Sequence, residues 1–289
     1  MRTAVLGATG FVGRALVPKL AERGEVVAVS RGGDAVGGGG VRAFAADVTD
    51  AKAVRAALEG VDVVHYLVHS LGSADFDEVD RRAAATVARE AARAGVSQIV
   101  YLGGLGDDAP DLSAHLRSRA ETAFVLASGD VPVTILRAAV VVGRGSAGFD
   151  TIVALVDRLP VMVAPRWVSM PTQPIALADI VGYLVDASGH PQTLGETFDV
   201  GGPDVLTYRQ MIERVGRLRG RRPRIVEVPV LSPRLSSYWL HLVTPVQASV
   251  ARPLVEGLRN PTVARDDRIC RLLPRELVPF DAAARQAVA

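Results

Sequence analysis

A glycine-rich turn near the N-terminus carries the clearest chemical signal in the sequence. It separates the apolar run Ala4–Leu6 from Arg14–Arg23, whose spacing is helical. Glycine lets the backbone approach a ligand closely, and the first amides of a helix attract anions. A turn of this kind, placed in a strand-helix-strand unit, predicts a binding site for the diphosphate of a dinucleotide. The residues expected to surround that diphosphate are Gly7, Thr9, Gly10, Phe11, Val12 and Gly13.

The end of the second predicted strand bears on which dinucleotide is bound. An acidic residue at this place binds the ribose 2′-hydroxyl of NAD(H), whereas an arginine accepts the 2′-phosphate of NADP(H). Ser30 and Arg31 stand there, so the sequence favours NADP(H) as the cofactor. Asp34 is close enough in the sequence to keep NAD(H) as the alternative.

Two histidines and an arginine are the candidates for proton transfer and ligand contact. An imidazole titrates near neutrality, so His115 is the predicted proton donor, with a surface or ribose-orienting histidine as the alternative. Arg119, four residues later on the same predicted helix, can hydrogen-bond a ribose but keeps its proton at neutral pH. His69 follows the fourth predicted strand, where ligands of parallel sheets bind, and is expected to line the pocket. His65 is predicted to lie in the core.

Short apolar strands alternate with helices through the first half of the chain. The predicted strands are Glu25–Ser30, Val41–Ala45, Val61–Val68, Gln98–Leu102 and Val131–Leu136, and the further predicted helices are Ala51–Glu59, Phe76–Ala94 and His115–Ala127. Each crossover helix must pack back onto the sheet, which is then parallel and covered on both faces. The predicted fold is therefore α/β, a Rossmann-type doubly wound parallel sheet with a smaller C-terminal substrate lobe.

The second half of the chain is richer in proline and less regular. We expect residues 1–142 to form a dinucleotide-binding Rossmann core and residues 143–289 to form the substrate lobe and C-terminal region. Within residues 143–289, a helix is predicted at Asp179–Ala187 and a strand at Thr197–Val200. Both are expected to return to the Rossmann core, so residues from about 175 to about 200 are assigned to that core. Thr207 and Gln210 have the spacing of a capping box, which predicts the start of another helix.

Composition excludes several classes of protein. The net charge of +2, from 33 basic and 31 acidic residues, creates no field that would attract nucleic acid. The single cysteine, Cys270, excludes an intrachain disulfide and a cysteine-rich zinc site, and no metal is predicted. The chain shows no apolar signal region and no apolar stretch of about 18 residues, which predicts a cytoplasmic protein without a transmembrane segment. Residues 236–258 are apolar and are expected to pack on the domain, because few basic residues flank them, with peripheral membrane contact as the alternative.

Further motifs resemble a known superfamily. Together with the glycine turn, Asp47-Val48 and Gly201-Gly202-Pro203 resemble the extended and atypical short-chain dehydrogenases/reductases. More narrowly, the segments Tyr66–Ser70, Tyr101–Gly106, His115–Arg119 and Thr172–Ile175 resemble NmrA-like and YbjT-type NAD(P)-binding oxidoreductases. The resemblance implies that Asp47 and Val48 contact the adenine and that Leu67, Val68 and His69 border the nicotinamide ribose, with Gly103 and Arg119 completing the cofactor-binding set.

The sequence departs from the superfamily at the residues that transfer the proton. Superfamily enzymes place a serine or threonine after the fifth strand, followed by a Tyr-x-x-x-Lys helix in which the lysine lowers the pKa of the tyrosine. Here Gly103-Gly104 replaces the serine, and His115-x-x-x-Arg119 replaces the second motif.

Two functions remain open from the sequence. The first is an oxidoreductase or epimerase-like enzyme that uses NADP(H) on a small apolar carbonyl or quinone-like compound, with the hydride supplied by the cofactor and the proton by His115. The second is a non-catalytic NADP(H)-binding redox sensor or regulatory protein, which needs no acid. The extensive second half of the chain favours the enzyme, because a sensor has no need to enclose a substrate.

Overall fold

The computed structural model describes residues 1–34, 36–70, 76–106, 113–228 and 260–289, except for the side chains of His115, Arg166 and Trp167. Residues 236–258, for which we weighed packing on the domain against peripheral membrane contact, lie outside this part of the chain. The strands are β1 (Arg2–Leu6), β2 (Glu25–Ser30), β3 (Val41–Ala45), β4 (Val63–Tyr66), β5 (Gln98–Gly104), β6 (Val133–Ala138), β7 (Val141–Val142), β8 (Val161–Pro165), β9 (Pro171–Thr172), β10 (Ile175–Ala176), β11 (Thr197–Val200), β12 (Leu206–Thr207) and β13 (Arg224–Val228). The helices are α1 (Phe11–Ala21), α2 (Ala51–Ala57), α3 (Phe76–Ala94), α4 (Ala114–Ala127), α5 (Ala147–Arg158), α6 (Leu177–Ala187), α7 (Tyr208–Leu218), α8 (Arg268–Leu272) and α9 (Phe280–Val288).

Seven parallel strands form the central sheet in the order β11-β6-β5-β4-β1-β2-β3. The strand order changes direction at β1, since β2 lies on one side of it and β4 on the other. In sheets of this kind a crevice opens at that point, outside the carboxyl ends of the strands. The predicted α/β doubly wound fold is confirmed, and the sheet positions a ligand-binding crevice at the end of β1.

Helices cover both faces of the sheet. Successive side chains of a strand point to opposite faces, so the buried strands carry apolar side chains toward both faces. On one face Val5, Ala28 and Val100 pack with α1 and α6. On the other face Ala4 and Val64 pack with α2, α3 and α4. These two apolar layers fix the positions of the strands, and so of the carboxyl ends at which the crevice opens.

The lobe has an apolar core of its own, built from α5, α7 and α9. The rings of Phe149 and Phe280 meet edge to face at 6.4 Å, and Met211 is fully buried beside them. Helix α7 begins at the predicted capping box, in which the hydroxyl of Thr207 accepts from the amide of Gln210 and the Gln210 side chain accepts from the amide of Thr207. The capping box fixes the start of α7, and with it the place of Tyr208.

Residues 260–289 run back along the core and are tied to it by hydrogen bonds. The guanidinium of Arg275 lies 4.4 Å from the centre of the Tyr183 ring, bonds the carbonyl of Asp179 and pairs with Asp186. A Cβ atom on Gly182 would overlap that guanidinium, so a side chain at this position of α6 would displace Arg275. The C-terminal segment is thus a fixed part of the structure around the lobe.

Several element boundaries differ from the sequence prediction, and two of these differences bear on the crevice. Helix α1 begins at Phe11 rather than Arg14, because the glycine turn is already closed at Gly10. Strand β4 spans Val63–Tyr66 rather than Val61–Val68, because the chain leaves the sheet at Leu67 and turns along the crevice.

Candidate functional site

A cavity of about 1120 Å³ opens at the carboxyl ends of the central strands and extends to the lobe. One wall comes from the glycine turn and the segments that follow β2, β3, β4 and β5. The other wall comes from the loop before α5, from α5 and α7, and from Thr262. The cavity therefore joins the crevice of the sheet to the lobe.

The glycine turn is shaped by two close backbone contacts. Gly7 has a φ of +89°, and a Cβ atom on it would lie 3.1 Å from the carbonyl oxygen of Leu67. A Cβ atom on Gly13 would overlap the carbonyl oxygen of Gly7 and lie 2.8 Å from Cα of Ala8. Both positions therefore require glycine, which explains the spacing seen in the sequence.

The turn presents the first amides of α1 to the cavity. The amide of Gly10 donates to the carbonyl of Gly7 at 3.0 Å, and the amide of Arg14 makes the first helical bond, to Gly10. The amides of Phe11, Val12 and Gly13 come before that bond, where a helix has donors without helical acceptors. Because these three residues line the cavity, the positive end of the helix dipole faces it.

Phe11 also ties the turn to the lobe. A Cβ atom on Gly143 would lie 2.9 Å from the Phe11 ring, and one on Gly145 would lie 3.5 Å from it. The ring therefore packs directly on the loop that leads into α5, whose first residues line the cavity. The two walls of the cavity are in contact at this point.

Two arginines and a carboxylate meet at the end of the cavity beside β2 and β3. Asp47 accepts from the amide and the hydroxyl of Thr49 at 2.8 and 2.7 Å, and these bonds hold the pKa of the Asp47 carboxyl below its ordinary value. The positive charges of Arg31 and Arg82 lower the pKa of Asp47 further. Both arginines line the cavity. Sequence reasoning found Arg31 but missed Arg82, for which the only signal was a pair of arginines on the predicted helix α3.

His69 and Arg119 lie near each other at the opposite side of the crevice. His69 lines the cavity, where loss of hydration, together with the charge of Arg119, lowers the pKa of His69 to about 4. His69 is thus neutral at pH 7 and has no imidazolium proton to give. The guanidinium of Arg119 donates to the carbonyl of Leu102 and lies 5.3 Å from the centre of the Tyr101 ring. These contacts hold Arg119 at the end of β5.

His115 occupies the first turn of α4, after Ser113, whose hydroxyl caps the helix by accepting from the amide of Leu116 at 3.2 Å. The His115 side chain lies outside the part of the chain that the structure describes. Its role as a proton donor therefore stays a prediction.

The structure brings the other predicted site residues to one cavity. Those that line it are Gly7, Thr9, Gly10, Phe11, Val12, Gly13, Ser30, Arg31, Asp47, Val48, Leu67, Val68, His69, Gly103 and Arg119. Sequence reasoning missed the lobe side of the same cavity. The residues there include Ser146, Thr151, Ile152, Leu155, Tyr208, Ile212 and Thr262, and their place depends on packing between distant segments.

Within residues 1–34, 36–70, 76–106, 113–228 and 260–289, no group of three or more histidine, cysteine, aspartate or glutamate side chains is arranged to hold a metal ion. In the same part of the chain, no helix has the length and apolar character needed to cross a membrane.

Residues 7–151 match a family described as NAD(P)H-binding. The (4-alkanoyl-5-oxo-2,5-dihydrofuran-3-yl)methyl phosphate reductase of Streptomyces griseus is 31% identical over 236 residues, which cover 78% of this chain and 77% of that protein. The chloroplastic divinyl chlorophyllide a 8-vinyl-reductase of Oryza sativa subsp. indica is 30% identical over 251 residues, with 78% and 60% covered. The mitochondrial NADH dehydrogenase [ubiquinone] 1 alpha subcomplex subunit 9 of Arabidopsis thaliana is 26% identical, also with 78% and 60% covered. The matched part is thus only about three fifths of the last two proteins.

Solved structures share the fold over nearly the whole chain. An NADPH-dependent quinone oxidoreductase from Escherichia coli, in complex with NADPH, superimposes with a TM-score of 0.78 at 18% identity, covering 99% of this chain and 100% of the other. The triphenylmethane reductase of a Citrobacter species, in complex with NADP(H), superimposes with a TM-score of 0.75 at 16% identity and the same coverage. At these identities the likeness concerns the fold alone.

Proposed function

Because the chain belongs to the NAD(P)H-binding family, among the atypical NmrA-like short-chain dehydrogenases/reductases, we propose that it is an NADP(H)-dependent oxidoreductase acting on a small apolar carbonyl or quinone-like compound. One observation carries this proposal: the amides of the glycine turn and an apolar lobe wall share a single cavity. Its volume of about 1120 Å³ exceeds the roughly 300–1,000 Å³ of most small-ligand pockets, which suits a dinucleotide together with a second molecule.

The glycine turn would hold the diphosphate. The amides at the start of α1 would donate hydrogen bonds to the phosphate oxygens. Because Gly7 and Gly13 have no side chains, the backbone of the turn packs closely enough to direct these amides into the cavity. Leu67 and Val68 would border the nicotinamide ribose, as the family resemblance implies. When bound, the cofactor supplies the hydride.

The charges beside β2 support NADP(H) over NAD(H). Arg31 and Arg82 place two positive charges where a 2′-phosphate would lie, and guanidinium groups bind phosphate in a bidentate manner. Asp34 remains tied into the turn after β2, because its amide donates to the Ser30 hydroxyl at 3.2 Å. A Cβ atom on Gly32 would lie 2.9 Å from the Asp34 carboxylate, which therefore lies close against the turn. Asp47 would contact the adenine.

The residues at the end of β5 would orient the reacting part of the cofactor. The guanidinium of Arg119 has donors beyond the one used on Leu102, and these could bind the ribose hydroxyls. His69, neutral at pH 7, can still donate and accept hydrogen bonds there. Proton delivery would fall to His115 or to water.

A non-catalytic sensor of NADP(H) is the second candidate. Gly103 and Gly104 favour it, because they offer no hydroxyl at the end of β5 where a catalytic serine or threonine would act. A sensor needs a site that binds the cofactor, but it does not need to convert a substrate.

Titration of the purified protein with NADPH and NADH, followed by fluorescence, tests the proposal. We expect NADPH to bind more tightly, and we expect NADPH oxidation with a panel of quinones and small ketones. Failure to bind either dinucleotide would refute both candidates, whereas tight binding with no turnover across the panel would leave the sensor.

A further inference from the structure

The lobe end of the cavity combines an aliphatic wall with one small group of hydroxyls. Ile152 and Leu155 of α5 and Ile212 of α7 present aliphatic side chains to the cavity. Tyr208, the first residue of α7, and Thr262, from the C-terminal segment, line the same region. This wall therefore has a polar point among its aliphatic side chains, apart from the hydroxyls of Ser146 and Thr151 at the start of α5.

The polar point is a cluster of three hydroxyls, from Tyr208, Thr172 and Thr262, which we call the hydroxyl cluster. The hydroxyl of Thr262 donates to that of Thr172 at 2.7 Å, and both threonine side chains hydrogen-bond the hydroxyl of Tyr208. Thr172 is fully buried, and Tyr208 and Thr262 are nearly so. Burial raises the pKa of Tyr208 to about 12, although the threonine hydroxyls oppose the change, so the phenol keeps its proton at neutral pH.

Backbone pairing holds the cluster in place. The amide of Thr262 donates to the carbonyl of Pro171 at 3.1 Å, and the amide of Gln173 donates to the carbonyl of Thr262 at 2.9 Å. Strand β12, which leads into Tyr208, pairs with β9, which carries Thr172. The three hydroxyls thus come from three segments that are directly bonded to one another, and they are ordered before any ligand arrives.

The cluster also lies beside the loop that follows β5. A Cβ atom on Gly106 would come within 3.3 Å of the Thr262 methyl group and 4.0 Å of the Leu116 side chain. Leu105 of the same loop and Gly103 of β5 line the cavity. A molecule that touches the hydroxyl cluster therefore reaches toward the cofactor side of the cavity as well.

We infer that Tyr208 and Thr262 bind the oxygen of an apolar ring substrate whose hydrocarbon body rests on Ile152, Leu155 and Ile212, an inference that rests on the proposed function. Each hydroxyl carries one proton and two lone pairs; the three bonds within the cluster use its three protons and leave lone pairs that can accept from a ligand hydroxyl. The cluster therefore recognises an alcohol or phenol as it stands, and it bonds a ketone or quinone when one of the internal bonds opens. Tyr208 is a substrate-binding residue in this view, and it selects for an oxygen at one end of the ring.

The experiment compares 1-naphthol with naphthalene, two ligands of similar shape that differ by one hydroxyl. Binding of each is measured by fluorescence to protein saturated with NADP⁺, for the wild type, Tyr208→Phe and Tyr183→Phe. Tyr183 is the matched control, because it is also a buried tyrosine whose hydroxyl has a hydrogen-bond partner. That partner is the sulfur of Cys270 on α8. Thr262→Val provides a second variant of the cluster. Circular dichroism establishes that each variant is folded.

We expect the wild type and Tyr183→Phe to prefer 1-naphthol, and we expect Tyr208→Phe to lose that preference by about tenfold, the effect of one hydrogen bond. Thr262→Val should weaken it in the same direction. An unchanged preference in Tyr208→Phe would refute the inference and leave the hydroxyl cluster as a contact between α7 and the C-terminal segment. Binding of NADP⁺ without binding of either ring compound would also refute it, while the cofactor proposal would stand. If NADP⁺ itself fails to bind, the proposed function is refuted. The comparison of 1-naphthol with naphthalene is then made without NADP⁺, and its result decides the inference.

Discussion

Arg31 and Arg82 act on the same carboxylate, that of Asp47, although one follows β2 and the other lies on α3. Their convergence makes the end of the cavity beside β2 a positively charged pocket. The next residue back along α3, Arg81, pairs instead with Glu121 of α4 at 3.3 Å. Two adjacent arginines of one helix therefore have different surroundings, which offers a matched pair of substitutions.

We expect Arg82→Gln to weaken NADPH binding by about tenfold or more, because a charge-assisted bond to phosphate contributes roughly 1.5–3 kcal/mol. NADH binding should change little, since NADH has no 2′-phosphate. Arg81→Gln, the control, should leave both affinities close to those of the wild type. Fluorescence titration of the three proteins measures the effect, and an equal loss for NADH and NADPH in Arg82→Gln would contradict a role in recognising the 2′-phosphate.

We expect Gly13→Ala to abolish cofactor binding and to lower the melting temperature. The added methyl group would overlap the carbonyl of Gly7 and crowd Ala8, so the glycine turn has to open. Gly38→Ala is the control, because a Cβ atom there meets no atom within 4 Å. Thermal unfolding with and without NADPH reports both effects, and stabilisation of Gly13→Ala by NADPH equal to that of the wild type would count against the site.

Proton transfer by His115 is tested by substitution to alanine. A general acid typically contributes 10²–10⁴-fold to a rate, so His115→Ala should reduce NADPH oxidation by about that factor while NADPH affinity is retained. His69→Gln should retain more activity, because the pKa of His69, near 4, leaves it neutral at pH 7. Steady-state rates with an active quinone or ketone provide the measurement. Equal rates for the wild type and His115→Ala would remove His115 from catalysis.

His65 should make the protein sensitive to acid. Burial lowers the pKa of His65 to about 3, against about 6.5 in the unfolded chain, so the unfolded state binds a proton first as the pH falls. The contribution of the neutral His65 imidazole to the free energy of unfolding is full above pH 6.5, and it decreases between pH 6.5 and 3. The loss between pH 7.5 and 5 amounts to about 2 kcal/mol. Urea unfolding at both pH values measures it.

Two variants separate the titration of His65 from its packing. His65→Leu should remove that part of the pH dependence, because leucine does not titrate. Ser188→Ala removes the 2.9 Å contact between Ser188 and His65 but keeps the buried imidazole, so it should lower stability at both pH values and preserve the difference. An undiminished pH dependence in His65→Leu would show that other groups cause it.

Local patterns predicted much of the central sheet. The strands Glu25–Ser30, Val41–Ala45 and Thr197–Val200 and the helix Phe76–Ala94 have the same bounds in the structure as in the sequence prediction. Their apolar runs end at glycines, charged residues or turns, which are signals carried by neighbouring residues. His65 was likewise predicted as a core residue, and it is fully buried.

The parts that the sequence did not predict depend on contacts between distant segments. Strands of two residues, such as β9 at Pro171–Thr172, carry too few side chains to show a period, and they form only where a partner is supplied. The position of Thr262 in the cavity wall follows from pairing with that strand, and Arg82 faces the cavity only because of the way α3 packs against the sheet. No motif in the sequence marks either residue.

The pairing of β11 with β6 has a consequence for how the protein is made. While the chain emerges from the ribosome, the outer edge of β6 exposes unpaired amides and carbonyls until Thr197–Val200 has been synthesised. Such an edge can pair with another nascent chain. The long interval between the two strands also slows closure of the sheet. The strand that covers this edge follows about sixty residues later, which takes a few seconds to roughly ten seconds at ordinary elongation rates.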